Sequence, residues 1–186
     1  APRLVQEFIR LKKLDEREAI MSSLLCKQKA KVRTIVFFET KREAHRFKLV
    51  LSVLDVNAVE LHSDLSQVQR NVALQQFRDG VVDILIATDV ASRGIDVTGV
   101  HCVINSDMPR NTNIYIHRVG RTARAGTSGT SITLVSESRR KTLKSLFKDN
   151  PSASNNTLAR TIPSTVIADY ISKIANAETA IEALVE

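Results

Sequence analysis

The chain has no tryptophan, and aromatic residues make up only 4% of its 186 positions. With so few flat rings, recognition of nucleic acid by base stacking is disfavoured, and contact with backbone phosphates is the better expectation. Its two cysteines, Cys26 and Cys102, are too few and too far apart for a disulfide framework. They read as reduced, small core residues of an intracellular protein. No apolar run approaches the roughly 20 residues needed to cross a membrane, and no signal-peptide pattern is visible. A GxxxxGK[ST] phosphate loop is absent, so the chain alone lacks the parts needed to bind and split a nucleoside triphosphate. Its histidines, at 45, 62, 101 and 117, are scattered without metal-ligand spacing, and no Ser-His-Asp set follows from spacing. The expectation is therefore no metal site.

What is present is an ordinary globular composition with a basic excess. Hydrophobic residues are 43% and charged residues 25%, enough for a core without staples. The length suggests one domain plus an appendage. Lysine and arginine outnumber aspartate and glutamate by 27 to 20, for a net charge of +7, which favours an anionic partner such as nucleic acid. The chain starts at Ala1 rather than at a methionine and reads as a fragment.

The densest stretch is HRVGRTARAG at 117–126. Arg118, Arg121 and Arg124 stand three apart, and no acidic residue occurs from position 110 to 126. At that spacing arginines fall on neighbouring turns of a helix, so two of them can aim at one point. A planar, permanently charged guanidinium suits phosphate better than a lysine ammonium does. Ile114, Ile116, Val119 and Ala123 give the segment a packing face, which argues for a fixed anion site over a solvated basic helix.

Taken in order, the pattern alternates strands and helices. Leu4–Leu11 reads as an edge strand. Asp15 and Glu18 look like a capping box opening a helix to about Lys29. Thr34–Phe38 is a buried strand, and Thr40 opens a helix through Ala44, Phe47, Leu51 and Leu54. A short strand at 58–61 precedes a second capping box, Ser66 with Gln69, and a helix ended by Asp79 and Gly80. Strands follow at 84–87, 101–105 and 131–135, with helices at 111–124 and 137–147. This alternation predicts an α/β fold with a mainly parallel sheet covered on both faces. Right-handed crossovers place Thr40, residues 62–66, 88–96 and 107–111 along the sheet's carboxyl edge, where such folds bind ligands.

Two further stretches on that edge carry candidate chemistry. ATDVASRGID at 87–96 offers the Thr88 hydroxyl for a phosphate, Gly94 for close backbone approach, and Asp96 as an acceptor for a ribose hydroxyl pair. HSDLSQVQR at 62–70 projects Gln67 and Arg70 from a helix start, where amides and dipole favour an anion. Each alone is equally a turn or helix start held by its own polar bonds. Beyond them, 149–156 (DNPSASNN) is breaker-rich and reads as linker. Apolar residues from 166 to 184 then follow a three-four spacing. They form a seam that either packs back on its own domain or projects as a coiled-coil-like arm.

In order and spacing, these stretches resemble the second, C-terminal RecA-like domain of DEAD-box RNA helicases, over about residues 1–148. VFFET at 36–40 looks like motif IV, QVQR at 67–70 like the QxxR of motif IVa, ATDVASRGID like motif V, VINSDMP at 103–109 like motif Va, and HRVGRTARAG like motif VI. The resemblance implies a doubly wound, RecA-like sheet. It implies that Arg121 and Arg124 are arginine fingers on the γ-phosphate of ATP and that His117 touches the partner domain's DEAD motif. Asp96 contacts the ribose. Thr40, Gln67, Arg70, Thr88 and Gly94 meet the RNA sugar-phosphate backbone. Ala123 and Ser63 stand where the family more often has glycine. No Q motif, Walker A or DEAD sequence is present, so ATP with its Mg²⁺ would be held by an N-terminal RecA-like domain outside this chain, and this fragment alone would be inactive.

The expected organisation is a helicase C-terminal domain at 1–148, a linker at 149–163, and a C-terminal amphipathic helix at 164–186 that offers a surface to a protein partner. The tail, ARTIPSTVIADY onward, resembles nucleolar DEAD-box proteins of large ribosomal subunit assembly, which implies ribosome biogenesis and a nuclear or nucleolar location. A non-catalytic module that docks on RNA or protein is the alternative. The intact pair of Arg121 and Arg124 together with Asp96 favours the enzyme half.

Overall fold

In the strand TIVFF every residue is buried, and strict alternation sends its side chains to two separate cores. Val36 and Phe38 enter one apolar cluster, and Ile35 and Phe37 another. A strand covered on both faces needs parallel neighbours linked by helical crossovers. The computed structural model shows that arrangement across the residues it describes, 3–27, 32–89, 97, 99–124 and 126–185.

The strands are β1 (Leu4–Leu11), β2 (Thr34–Phe38), β3 (Val59–Leu61), β4 (Ile84–Thr88), β5 (Cys102–Asn105), β6 (Gly129–Ser136) and β7 (Thr157–Ala159). They form a seven-stranded sheet in the order β3-β4-β2-β5-β6-β1-β7, with every pair parallel. The described helices are α1 (Arg17–Cys26), α2 (Lys41–Val53), α3 (Gln67–Arg78), α4 (Thr112–Val119), α5 (Arg140–Asp149), α6 (Ser164–Asn176) and α7 (Glu178–Val185). Helices α1, α2, α6 and α7 bury Ile20, Phe47, Ile174 and Ile181 against one face. On the other, α3 adds Leu74 and Phe77 beside β2 and β4, while Tyr115 of α4 and Leu146 of α5 pack by Met108 and Val135.

Several local expectations hold in detail. Thr40 caps α2, its hydroxyl oxygen accepting from the Glu43 N–H at 3.2 Å. Ser66 and Gln69 form a full capping box at α3. Other expectations are corrected. At α1 no side chain caps the helix, because Glu18 is used elsewhere: Arg46 of α2 grips it at 2.9 and 3.1 Å. Strand β1 is not an edge strand but lies between β6 and β7. The segment read as linker folds against the domain, with Gln6 Nε2 donating to the Ala153 carbonyl at 2.8 Å, and β7 then adds to the sheet beside β1.

Of the two readings of the apolar seam, the structure shows the one that packs on its own domain. It does not project as an arm. Tyr170, Ile174 and Ile181 are at most 7% exposed and belong to the main core. The seam breaks between α6 and α7 at Ala177, which lets α6 cover α1 while α7 reaches α2. Arg46 clamps that second contact by donating to Glu178 at 2.7 and 3.0 Å.

Candidate functional site

Register decides which motif residues meet. Phe38 and Thr88 are partners across β2 and β4, as are Leu61 and Ala87 across β3 and β4. The chain therefore leaves three adjacent strands side by side at the carboxyl edge. Thr40 follows β2, Thr88 ends β4, and Gln67 and Arg70 open α3 just after β3. Thr88 is 8% exposed, Thr40 and Gln67 are exposed and Arg70 half-buried. Gln67 is braced along the helix by a bond to Asn71 Oδ1 at 3.0 Å. Gly94 and Asp96 lie outside the described residues.

This edge is tied together from below by groups to which motif reading gave no individual role. The Asp107 carboxylate accepts from the N–H of Met108 at 2.9 Å, from the N–H of Ser136 at 2.9 Å and from the Ser136 hydroxyl at 2.6 Å. It also receives Arg17 at 3.2 Å, so one side chain joins the ends of β5 and β6 to α1. Arg139 spans Glu39, at 2.7 and 3.2 Å, and the Met108 carbonyl, at 3.1 Å. Asp107 and Glu39 lie within VINSDMP and VFFET, close after an apolar strand, whereas Arg139 carried no sequence signal.

The arginine segment is arranged differently from the helical reading. Helix α4 stops at Val119, with Gly120 as its C-cap, so Arg121 and Arg124 sit on the loop that follows. Arg118, the first of the three, is the one withdrawn into the protein. It is 3% exposed. Its Nε and Nη2 donate to Asp89 at 2.8 and 2.7 Å, its Nη1 to Asn105 Oδ1 at 3.2 Å, and its guanidinium lies 5.3 Å from the centre of the Phe37 ring. An arginine so bound positions α4 and is not available to a phosphate. The other two lie nearer the surface, Arg121 half-buried and Arg124 exposed.

The loop itself is shaped by close packing. Thr122 donates its hydroxyl to the Val100 carbonyl at 2.8 Å, and a side chain at Gly129 would meet Thr122 Oγ1 at 2.1 Å. Ala123 takes φ +56°, in the left-handed region that glycine occupies without cost. That is a physical reason for the family's usual glycine there. Arg124 Nε donates back to the Gly120 carbonyl and Thr127 caps the Arg124 carbonyl, so the arginine is braced at both ends. Among the described residues it has no carboxylate partner. His117 is exposed on the last turn of α4.

Connectivity separates the two sets. Because α4 leaves the carboxyl end of β5 and returns to the start of β6, the loop carrying Arg121 and Arg124 lies near the amino ends of β5 and β6. Thr40, Thr88, Gln67 and Arg70 lie at the carboxyl ends of β2 and β4 and beyond β3. One domain thus presents two distinct polar surfaces. No described helix is long and apolar enough to cross a membrane.

An all-parallel sheet with helices on both faces and motif-bearing loops at both edges is that of a RecA-like helicase domain. A family model described as helicase conserved C-terminal domain matches residues 15–126. The chain is 49% identical over 158 residues to the ATP-dependent RNA helicase drs1 of Schizosaccharomyces pombe, covering 83% of this chain and 21% of that protein. Among solved structures it is similar to the Escherichia coli DEAD-box protein SrmB bound to RraA, with TM-score 0.77 and 33% identity over 89% of this chain and 95% of that one. It is also similar to a DEAD box protein of Methanococcus jannaschii, with TM-score 0.73 and 33% identity over 87% and 42%. The chain belongs to the helicase conserved C-terminal domain family and is of the DEAD-box type. It spans about a fifth of the length of the curated relatives it matches, 21% and 22% for two of them.

Proposed function

We propose that this chain is the C-terminal half of an ATP-dependent RNA helicase, which closes with an N-terminal RecA-like domain over ATP and RNA to unpair a short duplex or remodel a ribonucleoprotein. The observation that carries this reading is the division of labour inside HRVGRTARAG. Arg118 is consumed by Asp89 and Asn105, while Arg121 and Arg124 are set on a packed loop beyond the helix. Pure backbone binding gives no reason to build such a loop on the edge away from Thr40, Thr88 and Arg70.

The donor set suits a nucleoside triphosphate. Two guanidiniums three residues apart, with no carboxylate in residues 110–126, match the charge of a terminal phosphate. Arg121 and Arg124 would hold the γ-phosphate, Asp96 the ribose, and His117 the partner domain's DEAD motif. When bound, ATP with Mg²⁺ supplies the transferable phosphoryl group, the metal being held by the N-terminal domain. Thr40, Gln67, Arg70, Thr88 and Gly94 would grip the RNA sugar-phosphate backbone without reading sequence. ATP and RNA each favour the closed pair of domains, so their binding is linked. The tail's likeness to nucleolar ribosome-assembly helicases supports a role in ribosome biogenesis, with a nuclear or nucleolar location.

The test is paired. In the full-length protein with saturating RNA, Arg121→Ala lowers kcat by a factor on the order of 10³ to 10⁵, the range for arginine fingers. Arg121→Lys recovers little, since a point charge does not reproduce the guanidinium fork. Nucleotide-free RNA binding changes far less. Intact turnover with abolished nucleotide-free RNA binding would make the loop an RNA patch and the chain a docking module.

A further inference from the structure

Two of the four histidines that look scattered in sequence meet in space. His45 on α2, Glu60 on β3 and His62 just after it bring three ligating atoms within 4.8 Å of one another. Glu60 and His62 are two apart along the edge strand, so both project from the face opposite Leu61, toward α2. We propose that these three side chains form a binding site for a divalent transition metal of the zinc class.

The arrangement has the marks of a ligand set rather than of a closed ion pair. Glu60 stands between the histidines, its Oε2 lying 2.8 Å from His45 Nδ1 and 3.3 Å from His62 Nε2. The first contact is a good hydrogen bond. The second is too poorly aligned to be one, and His62 Nε2 is a buried nitrogen with no hydrogen-bond partner. The His62 side chain is only 7% exposed, so water does not make up the loss. Buried nitrogens are rarely left unpaired, and this one points into a pocket of donors. Two imidazoles and a carboxylate are a donor set used for zinc, with the fourth position open to water. The opening exists on the His45 side, where the side chain is 37% exposed. Bonds of about 2.0–2.1 Å place tetrahedral ligand atoms roughly 3.3 Å apart. The contact at 2.8 Å thus opens by about half an ångström, and the two histidine nitrogens, within 4.8 Å of each other, close toward the same separation.

Coordination through Nε2 requires the His62 proton on Nδ1. That nitrogen now accepts a long bond, 3.3 Å, from the Asp64 N–H. Metal binding at Nε2 would give up this weak bond. The ion would also pin the edge strand to α2, beside the loop that leads to the Ser66 cap of α3. The site stands independently of the nucleotide and RNA readings.

The experiment titrates the purified chain with Zn²⁺ by calorimetry, and with Co²⁺ as a spectroscopic stand-in. The expected result is saturable one-to-one binding, a higher melting temperature with Zn²⁺, and visible Co²⁺ bands without a thiolate charge-transfer band. His45→Ala and Glu60→Gln, which alter partly exposed groups, each weaken binding at least tenfold and abolish the Zn²⁺ shift in melting. His101→Ala leaves both unchanged. Three results would overturn the proposal: no saturable Zn²⁺ binding by the folded wild type, equal binding by His45→Ala, or a thiolate band that assigns the ion to a cysteine.

Discussion

Arg118 and Asp89 form a two-pronged pair, 2.8 and 2.7 Å long, between the last turn of α4 and the residue that follows β4. The arginine side chain is 2% exposed and the aspartate 36%. This pair joins the two segments that carry the densest motifs, so the geometry of the loop after α4 depends on it. Removing the arginine leaves Asp89 able to rehydrate, but the buried Asn105 Oδ1 loses its donor and the Phe37 face its cation. Arg118→Ala is expected to cost about 2–3 kcal/mol, below the roughly 3–5 kcal/mol of a fully buried pair because Asp89 is partly exposed. Arg118→Lys recovers less than half of that, because an ammonium cannot make both bonds. Urea unfolding midpoints measure both. A loss below about 0.5 kcal/mol, the level of an ordinary surface change, would show that the pair is not a support.

Ala123 and Gly129 give an opposed pair of predictions. Holding a non-glycine residue left-handed costs about 1–2 kcal/mol, while glycine's extra freedom in the unfolded chain returns about 0.5–1 kcal/mol of that. Ala123→Gly should therefore stabilise the domain by about 0.5–1 kcal/mol. Gly129→Ala should destabilise it by about 1–3 kcal/mol, since the new methyl would meet Thr122 Oγ1 and, at 2.7 Å, the Ala123 backbone nitrogen. Thermal melts of the two variants should move in opposite directions.

Ile174→Asp tests the place of the C-terminal helices. Ile174 is 7% exposed in the main core. An aspartate there buries an unpaired charge and vacates apolar contacts, so a loss of at least about 3 kcal/mol and a single, lowered transition are expected. If the mutant melted like the wild type, α6 would be separable from the domain.

Glu178 predicts an acid limb to that docking. Hydrogen bonds from Arg46 hold its carboxyl below the ordinary value of 4.5. A depressed folded value means that the contribution is fully present above the unfolded value and is lost as pH falls through the folded one. The side chain is 36% exposed, so solvent screening limits the pair to about 0.5–1 kcal/mol. Stability measured from pH 7 to pH 3 should fall more steeply in the wild type than in Glu178→Gln.

Arg70→Ala tests the carboxyl-edge surface. RNA binding by this chain is expected to be sequence-independent and salt-sensitive, because neutralised phosphates release counterions. The variant should weaken all equal-length single strands alike and reduce the log-log salt slope by about one contact's worth, roughly 0.7. A strong sequence preference persisting in high salt would contradict it.

The alternation of strands and helices, the Thr40 cap, the Ser66–Gln69 box and the motif order were legible from residues alone. Each is encoded locally: a period of two or of 3.6, a hydroxyl or amide within reach of a nearby N–H, a fixed spacing. Sequence by itself also marked the stretch with Arg118, Arg121 and Arg124 as the densest run of guanidiniums. What it did not contain is decided by contacts between distant residues. A helical period extends equally well through Arg118, Arg121 and Arg124. Only the C-cap at Gly120 and the burial of Arg118 against Asp89 and Asn105 separate an anchor from two arginines on the loop beyond the helix. An apolar seam reads the same whether it packs at home or abroad. The break at Ala177 and the Arg46 clamp across 132 residues fold it back. His45, Glu60 and His62 carry no ligand spacing, because a strand edge and a helix face meet only when the sheet is assembled, and tertiary packing alone brings their nitrogens and carboxylate together.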